Sequence, residues 1–130
     1  MNRIPKLEKS TDPLVKNGLQ YVYYASPTSS TVWTIGQRSL NDSRSILGAT
    51  LKPILKNNHQ NYNQIWYNDQ KPTKRTRSTS TGAHAKGVIV FDGKTGYWLL
   101  HSIPQFPSDD SDQSYEYPKR SLNNDRIFIG

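Results

Sequence analysis

Two apolar runs joined by a short polar turn form the clearest pattern in the chain. Val88–Phe91 is followed by the polar turn Asp92–Gly96 and then by Tyr97–Leu100. A glycine-bearing turn between β-branched and aromatic runs is typical of a β-hairpin, in which Asp92 is a turn residue. Because both runs are almost continuously apolar, the pattern predicts two central strands that are covered on both faces.

Further strands are predicted where β-branched and aromatic residues cluster. These segments are Gln20–Tyr24, which ends at a Ser26-Pro27 turn, Thr31–Thr34 and Gln64–Tyr67. Each tryptophan of the chain is flanked by strand residues. We therefore expect core positions, rather than base-stacking platforms, for Trp33, Trp66 and Trp98.

Apolar residues at helical spacing predict one helix, from Asp42 or Ser43 to about Lys56. Its apolar stripe consists of Ile46, Leu47, Leu51, Ile54 and Leu55. Pro53 lies inside this segment and is expected to kink or shorten the helix. The predicted fold class is α/β or α+β: a mixed β-sheet with a central hairpin and few flanking helices.

Composition narrows the class of protein. A chain of 130 residues predicts a single domain, and no apolar stretch is long enough to cross a bilayer or to serve as a signal peptide. The absence of cysteine excludes disulfides and thiolate metal sites. Because His59, His84 and His101 are scattered, no metal site is predicted.

The charge is basic and uneven. A net charge of +7 favours polyanions, nucleic acid first and anionic membrane second, although ordinary basic domains share it. Lys71–Lys86 holds five cations and no acid, whereas Asp109–Glu116 holds four acids and no cation, and both segments are predicted to be exposed loops. Lys74, Arg75 and Arg77 are candidates for contacts with DNA phosphates, with a solvated loop as the alternative.

His84 and Lys86 carry the candidate chemistry. Two residues apart on a strand, their side chains would point to the same face. A lysine there can neutralise phosphoryl oxygens, and a histidine can act as nucleophile or general acid. The alternative is an exposed polar pair at the start of a strand.

These residues lie within a longer resemblance. Gly82–Pro107, GAHAKGVIVFDGKTGYWLLHSIPQFP, resembles the core of the deoxyribonuclease II family. Tyr67–Gln70 matches that family's YNDQ signature, and Gly18–Tyr21 and Tyr115–Pro118 extend the resemblance over most of the chain. The order and spacing of these motifs make the resemblance specific.

The resemblance implies a fold and an activity. Family members are lysosomal or secreted acid endonucleases, similar to the phospholipase D superfamily, in which two halves each bring one HxK to a single active site. One histidine attacks the phosphorus to form a phosphohistidine, the other protonates the leaving oxygen, and the lysines hold the phosphoryl charge. No metal or cofactor takes part, and the products end in 3′-phosphate.

The family's first HxK falls on His84 and Lys86. Asn68 and Asp69 are candidates for orienting the substrate or for holding the loop, and Asn-Asp is also ordinary turn chemistry. His101 belongs to the HSxP element and either lines the cleft or is a structural histidine.

The chain also departs from the family pattern. Family chains are longer and carry a second HxK, but neither His59 nor His101 is followed by lysine two residues on, and the family's cysteines are missing. We expect residues 1–130 to form one incomplete N-terminal half-domain. The second HxK would then come from a homodimer partner or from a missing C-terminal half. A protein of another class, a catalytically inactive DNA-binding or secreted interaction protein that retains the fold, is the alternative.

Overall fold

The computed structural model describes residues 1–26, 32–55, 61–69, 85–104, 106, 115 and 117. Its elements, in chain order, are β1 (Asn2–Arg3), α1 (Pro13–Lys16), β2 (Tyr21–Tyr23), β3 (Thr34–Ile35), α2 (Ile46–Leu55), β4 (Asn63–Asn68), β5 (Lys86–Phe91) and β6 (Gly96–Leu100). In this part of the chain the strands form two antiparallel three-stranded sheets, β1-β2-β3 and β4-β5-β6. The predicted α/β class with few helices is confirmed.

The predicted hairpin is present as β5 and β6. Val88 pairs with Leu99 and Phe91 pairs with Gly96 across the two strands. Asp92 closes the turn, because its Oδ1 accepts hydrogen bonds from the backbone N–H groups of Lys94 and Thr95, both at 2.7 Å. These donors lower the pKa of the Asp92 carboxyl. The interpretation of Asp92 as a turn residue is confirmed.

The prediction that both strands of the hairpin are covered on both faces is wrong. Val88 and Val90 of β5 face the core, but β6 lies at the edge of its sheet, and Trp98 and Leu100 are 61% and 52% exposed. Cross-strand partners share a face of a sheet. The outer face of β4-β5-β6 is therefore formed by Ile65, Tyr67, Gly87, Ile89, Phe91, Trp98 and Leu100.

The tryptophans follow the same rule. Trp33 and Trp98 are 56% and 61% exposed, so their predicted core positions are wrong. Trp66 is half-buried and packs against the core, in line with the prediction. The side chain of an aromatic residue in a strand points to one face of the sheet, and the local composition does not indicate whether the rest of the protein covers that face.

Helix α2 confirms the predicted helix with a later start. Leu47, Leu51 and Ile54 are buried, whereas Ile46, at the first turn, is exposed. Pro53 is accommodated inside the helix, which extends two residues beyond it to Leu55. The predicted end at Lys56 lies outside the described residues, as does Thr31. Of the described residues in the strand predicted from Thr31 to Thr34, only Thr34 lies in β3.

One hydrophobic cluster joins α2, β2 and β5 to the segment after β6. Its buried members are Tyr21, Leu40, Leu47, Leu51, Ile54, Val88, Val90, Ile103, Phe106 and Tyr117. The Tyr21 hydroxyl accepts a hydrogen bond from the Ile46 backbone N–H at 3.2 Å, and so links the first sheet to α2. In the described part of the chain no helix is long and apolar enough to span a membrane. This core fixes the inner face of β5, where Lys86 begins the strand.

Candidate functional site

One end of the β4-β5-β6 sheet brings together four of the polar residues singled out in the sequence, which we call the polar group: Asn68, Asp69, Lys86 and His101. Asn68 and Lys86 are cross-strand partners on β4 and β5. The next residue after β6, His101, donates its backbone N–H to the Lys86 carbonyl at 3.2 Å. Because alternation places Lys86 on the same side as Val88 and Val90, its side chain enters the protein rather than the solvent.

Lys86 is paired with Asp69, the residue that follows β4. Nζ of Lys86 lies 2.7 Å from Oδ1 of Asp69, and the two side chains are only 2% and 1% exposed. The contact is an ion pair by its distance and is poorly aligned as a hydrogen bond. A buried pair of this kind has lost its hydration, so each charge depends on the other.

His101 is the third buried polar side chain of the group, with 7% of its surface exposed. Its Nδ1 accepts a hydrogen bond from the Ile103 backbone N–H at 3.2 Å. A neutral imidazole that accepts at Nδ1 carries its proton on Nε2. Nε2 is buried and has no hydrogen-bond partner among the described residues, so it presents a donor that none of these residues uses.

The electrostatic surroundings keep this imidazole neutral. The pKa of His101 is lowered from 6.5 to about 4, mainly by burial and then by the positive charges of Lys86 and of the N-terminus, while Asp69 acts in the opposite direction. Desolvation disfavours the charged imidazolium, and a neighbouring ammonium does the same. At mildly acidic pH, His101 is therefore a neutral hydrogen-bond donor at Nε2.

Asn68 ties the end of β4 to the segment that follows β6. Its Nδ2 donates to the Phe106 carbonyl at 2.9 Å. The Phe106 ring in turn lies edge-on to the His101 imidazole, with ring centroids 6.4 Å apart. Two sets of contacts therefore position the polar group: the pairing of β4 with β5, and the contacts made by Phe106 in the segment after β6.

The remaining predicted residues lie outside the described part of the chain: His84, Lys74, Arg75 and Arg77. The same is true of Asp109–Asp112 in the acidic segment. Among the described residues, no group of three or more His, Cys, Asp or Glu side chains is arranged to hold a metal ion.

Sequence reasoning identified Asn68, Asp69, Lys86 and His101 separately, but not the partnership of Asp69 with Lys86. The signal that could have found it is the strand pairing: aligning the YND end of one strand antiparallel to the start of the HxKG strand brings the two residues together. The burial of both groups needs the structure, because charged side chains in a polar segment are usually exposed.

Comparison with known proteins identifies the family to which the chain belongs. A model of the deoxyribonuclease II family matches residues 1–129, and the chain belongs to this family. The resemblance seen in the sequence is therefore confirmed.

Individual relatives agree with this assignment. The chain is 35% identical to deoxyribonuclease-2-alpha of Sus scrofa over 127 residues, which cover 95% of this chain and 34% of the relative. It is 36% identical to deoxyribonuclease-2-beta of Homo sapiens over 119 residues, or 88% of this chain and 31% of the relative. It is also 30% identical to plancitoxin-1 of Acanthaster planci over 128 residues, covering 98% and 35%. The chain spans about a third of the length of these relatives.

Proposed function

We propose that this chain carries one HxK half of the active site of a deoxyribonuclease II-type endonuclease, which hydrolyses DNA phosphodiesters without a metal ion. The observation that carries the proposal is the buried ammonium of Lys86, held beside Asp69 and His101 in a chain of this family. The mammalian relatives are deoxyribonucleases 2-alpha and 2-beta, and their names support DNA as the substrate.

The proposed chemistry uses His84 with Lys86. Two-residue spacing would put both side chains on one face if the chain is extended before β5. One histidine nitrogen of the complete site attacks the phosphorus, and the bond from phosphorus to the 5′ oxygen breaks as a second histidine protonates that oxygen. Water then hydrolyses the phosphohistidine and leaves a 3′-phosphate. Whether His84 is the nucleophile or the acid stays open.

The neighbouring groups support phosphate binding. Of the three N–H donors on a lysine ammonium, Asp69 occupies one side, which leaves others for phosphoryl oxygens. His101 adds the unused Nε2–H, and we propose that it contacts the phosphate as a neutral donor, since its pKa of about 4 keeps it uncharged at mildly acid pH. Asn68 would hold the wall of the cleft through its bond to Phe106.

Longer-range contacts complete the proposal. Lys74, Arg75 and Arg77 would bind DNA phosphates, so that binding weakens as salt rises. The second HxK is proposed to come from a second copy of the chain or from a C-terminal half. By family membership, we further propose a lysosomal or secreted location.

The test is nicking of supercoiled plasmid at about pH 5 in excess EDTA, a pH at which an ordinary histidine is protonated. We expect cleavage by the wild type, loss of cleavage in His84→Ala, a greatly reduced but measurable rate in Lys86→Gln, and full cleavage in the matched control His59→Ala. Light scattering on the same samples measures whether the active species is a dimer. A chelator-sensitive activity, or one that survives His84→Ala, would contradict the proposed mechanism.

The presence of a single HxK favours one alternative, a catalytically inactive DNA-binding or secreted interaction protein. A monomer with one HxK supplies one histidine of this kind, whereas the mechanism uses two. A folded wild type that binds DNA but leaves plasmid intact would select this alternative.

A further inference from the structure

We propose that Asp69 is a positioning residue that acts on the reaction through Lys86 and does not itself touch DNA. The proposal rests on the proposed function, in which Lys86 holds the phosphoryl charge. It assigns to Asp69 a role different from the substrate orientation that is one of the alternatives raised by the sequence.

Burial is the first argument. The Asp69 side chain is 1% exposed and directs Oδ1 at the Lys86 ammonium. A phosphodiester carries negative charge, so a carboxylate that faced it would repel it. The carboxylate is therefore best suited to hold a cation, and among the described residues Lys86 lies within reach, with 2.7 Å between its Nζ and Oδ1 of Asp69.

Flexibility is the second argument. A lysine ammonium sits at the end of a four-carbon stem, so the β5 backbone alone does not determine where Nζ lies. Asp69 has a short side chain and follows immediately after the Asn68–Lys86 pair of β4 and β5. Asn68 is anchored to the Phe106 carbonyl at 2.9 Å. Because the end of β4 is fixed, the contact with Asp69 also fixes the position of the Lys86 Nζ atom.

Charge balance is the third argument. Lys86 and His101 are both buried at the same end of the sheet. A buried ammonium with no counter-charge would be costly, and Asp69 supplies that charge in the free protein. When phosphate enters, the ammonium can share its remaining donors without leaving Asp69.

Kinetics can separate positioning from direct contact. Asp69→Asn keeps the shape and removes the charge, and we expect the cleavage rate constant to fall about 10²-fold, with little change in the DNA concentration at half-saturation. The same substitution in a Lys86→Gln background should cause no further loss, because Asp69 acts only through Lys86. Asp69→Glu, which keeps the charge, should recover part of the rate. A further loss in the Lys86→Gln background, or an effect confined to DNA affinity, would overturn the proposal.

A second measurement is independent of activity. The side-chain ammonium of Lys86, identified by its absence in Lys86→Gln, should give an observable ¹⁵N–¹H signal in the folded wild type, since burial and pairing slow its proton exchange. That signal should vanish in Asp69→Asn, and a signal that persists unchanged would contradict the role of Asp69. If the folded wild type never nicks plasmid, the proposed nuclease function fails, while this spectrum still decides whether Asp69 fixes Lys86. If Asp69→Asn fails to fold, the Asp69→Asn/Lys86→Gln protein, in which neither charge remains, should fold; failure of that protein as well would contradict pairing as the role of Asp69.

Discussion

The Tyr67 side chain lies across Gly87 on the neighbouring strand so closely that a Cβ at Gly87 would be 2.3 Å from the Tyr67 hydroxyl oxygen. Tyr67 and Gly87 are cross-strand partners, and the same hydroxyl accepts a hydrogen bond from Trp98 Nε1 at 2.7 Å. The glycine after Lys86 thus lets a tyrosine of β4 reach a tryptophan of β6 over the top of β5. Glycine is therefore required at position 87 by contacts on the outer face of the sheet, opposite the face that carries Lys86.

Replacing Gly87 with alanine should destabilise the protein. The new methyl group would displace Tyr67 and break its bond to Trp98, and overpacking of this kind costs about 1–3 kcal/mol. Gly93→Ala is the matched control, because a Cβ at Gly93 meets nothing within 4 Å. Urea unfolding of both variants measures the difference, and equal free energies of unfolding would show that Tyr67 moves aside freely.

Asp69→Asn should lower the free energy of unfolding by about 3–5 kcal/mol, since it leaves Lys86 buried without its counter-charge. Glu8→Gln is the control, because the Lys6–Glu8 pair is 3.6 Å apart and Glu8 is 80% exposed. Loss of that pair should leave the free energy of unfolding within experimental error. Similar small losses in both variants would mean that Lys86 reaches solvent when Asp69 is neutralised.

Acid should destabilise the protein through His101. Its pKa is about 4 in the folded protein and about 6.5 when unfolded, so the unfolded chain binds more protons between these values. Stability from this residue is complete above pH 6.5 and is lost as pH falls to 4, by about 3 kcal/mol in total.

Urea unfolding at several pH values measures that effect. His101→Asn, which keeps a hydrogen-bond acceptor for Ile103, should show a smaller loss of stability between pH 6.5 and 4 than the wild type. Acidic groups elsewhere affect both proteins alike. Parallel curves, or an NMR titration of His101 near 6.5, would contradict the buried, neutral state.

Asn68→Ala should loosen the contact between the end of β4 and the segment after β6. It removes the bond to the Phe106 carbonyl, which joins distant parts of the chain, and should cost about 1 kcal/mol or more. In the control Asn17→Ala, the lost bond to the Pro13 carbonyl is local and exposed, so we expect a smaller effect. Chemical denaturation compares the two, and an equal cost would mean that the loop is held without Asn68.

Local sequence patterns predicted the secondary-structure elements better than they predicted which side chains of those elements are buried. The hairpin of β5 and β6 and the helix α2 follow from runs and spacings that a short segment contains. The exposure of Trp98 could not be predicted, because it depends on which face of the sheet the rest of the chain covers. The candidate residues were found by type and spacing, whereas the pairing of Asp69 with Lys86 depends on strand register.

The alternation along β5 gives adjacent positions opposite tolerances to change. Lys86, Val88 and Val90 face inward, whereas Ile89 and Phe91 lie on the outer face. Saturation mutagenesis of the strand should thus show tolerance that alternates with a period of two residues. Polar or differently charged substitutions should be destabilising at Lys86, Val88 and Val90 and tolerated at Ile89 and Phe91. We therefore expect homologous sequences to vary more at the outward positions of β5 than at its inward positions, so that substitution rates differ between neighbouring residues of one strand.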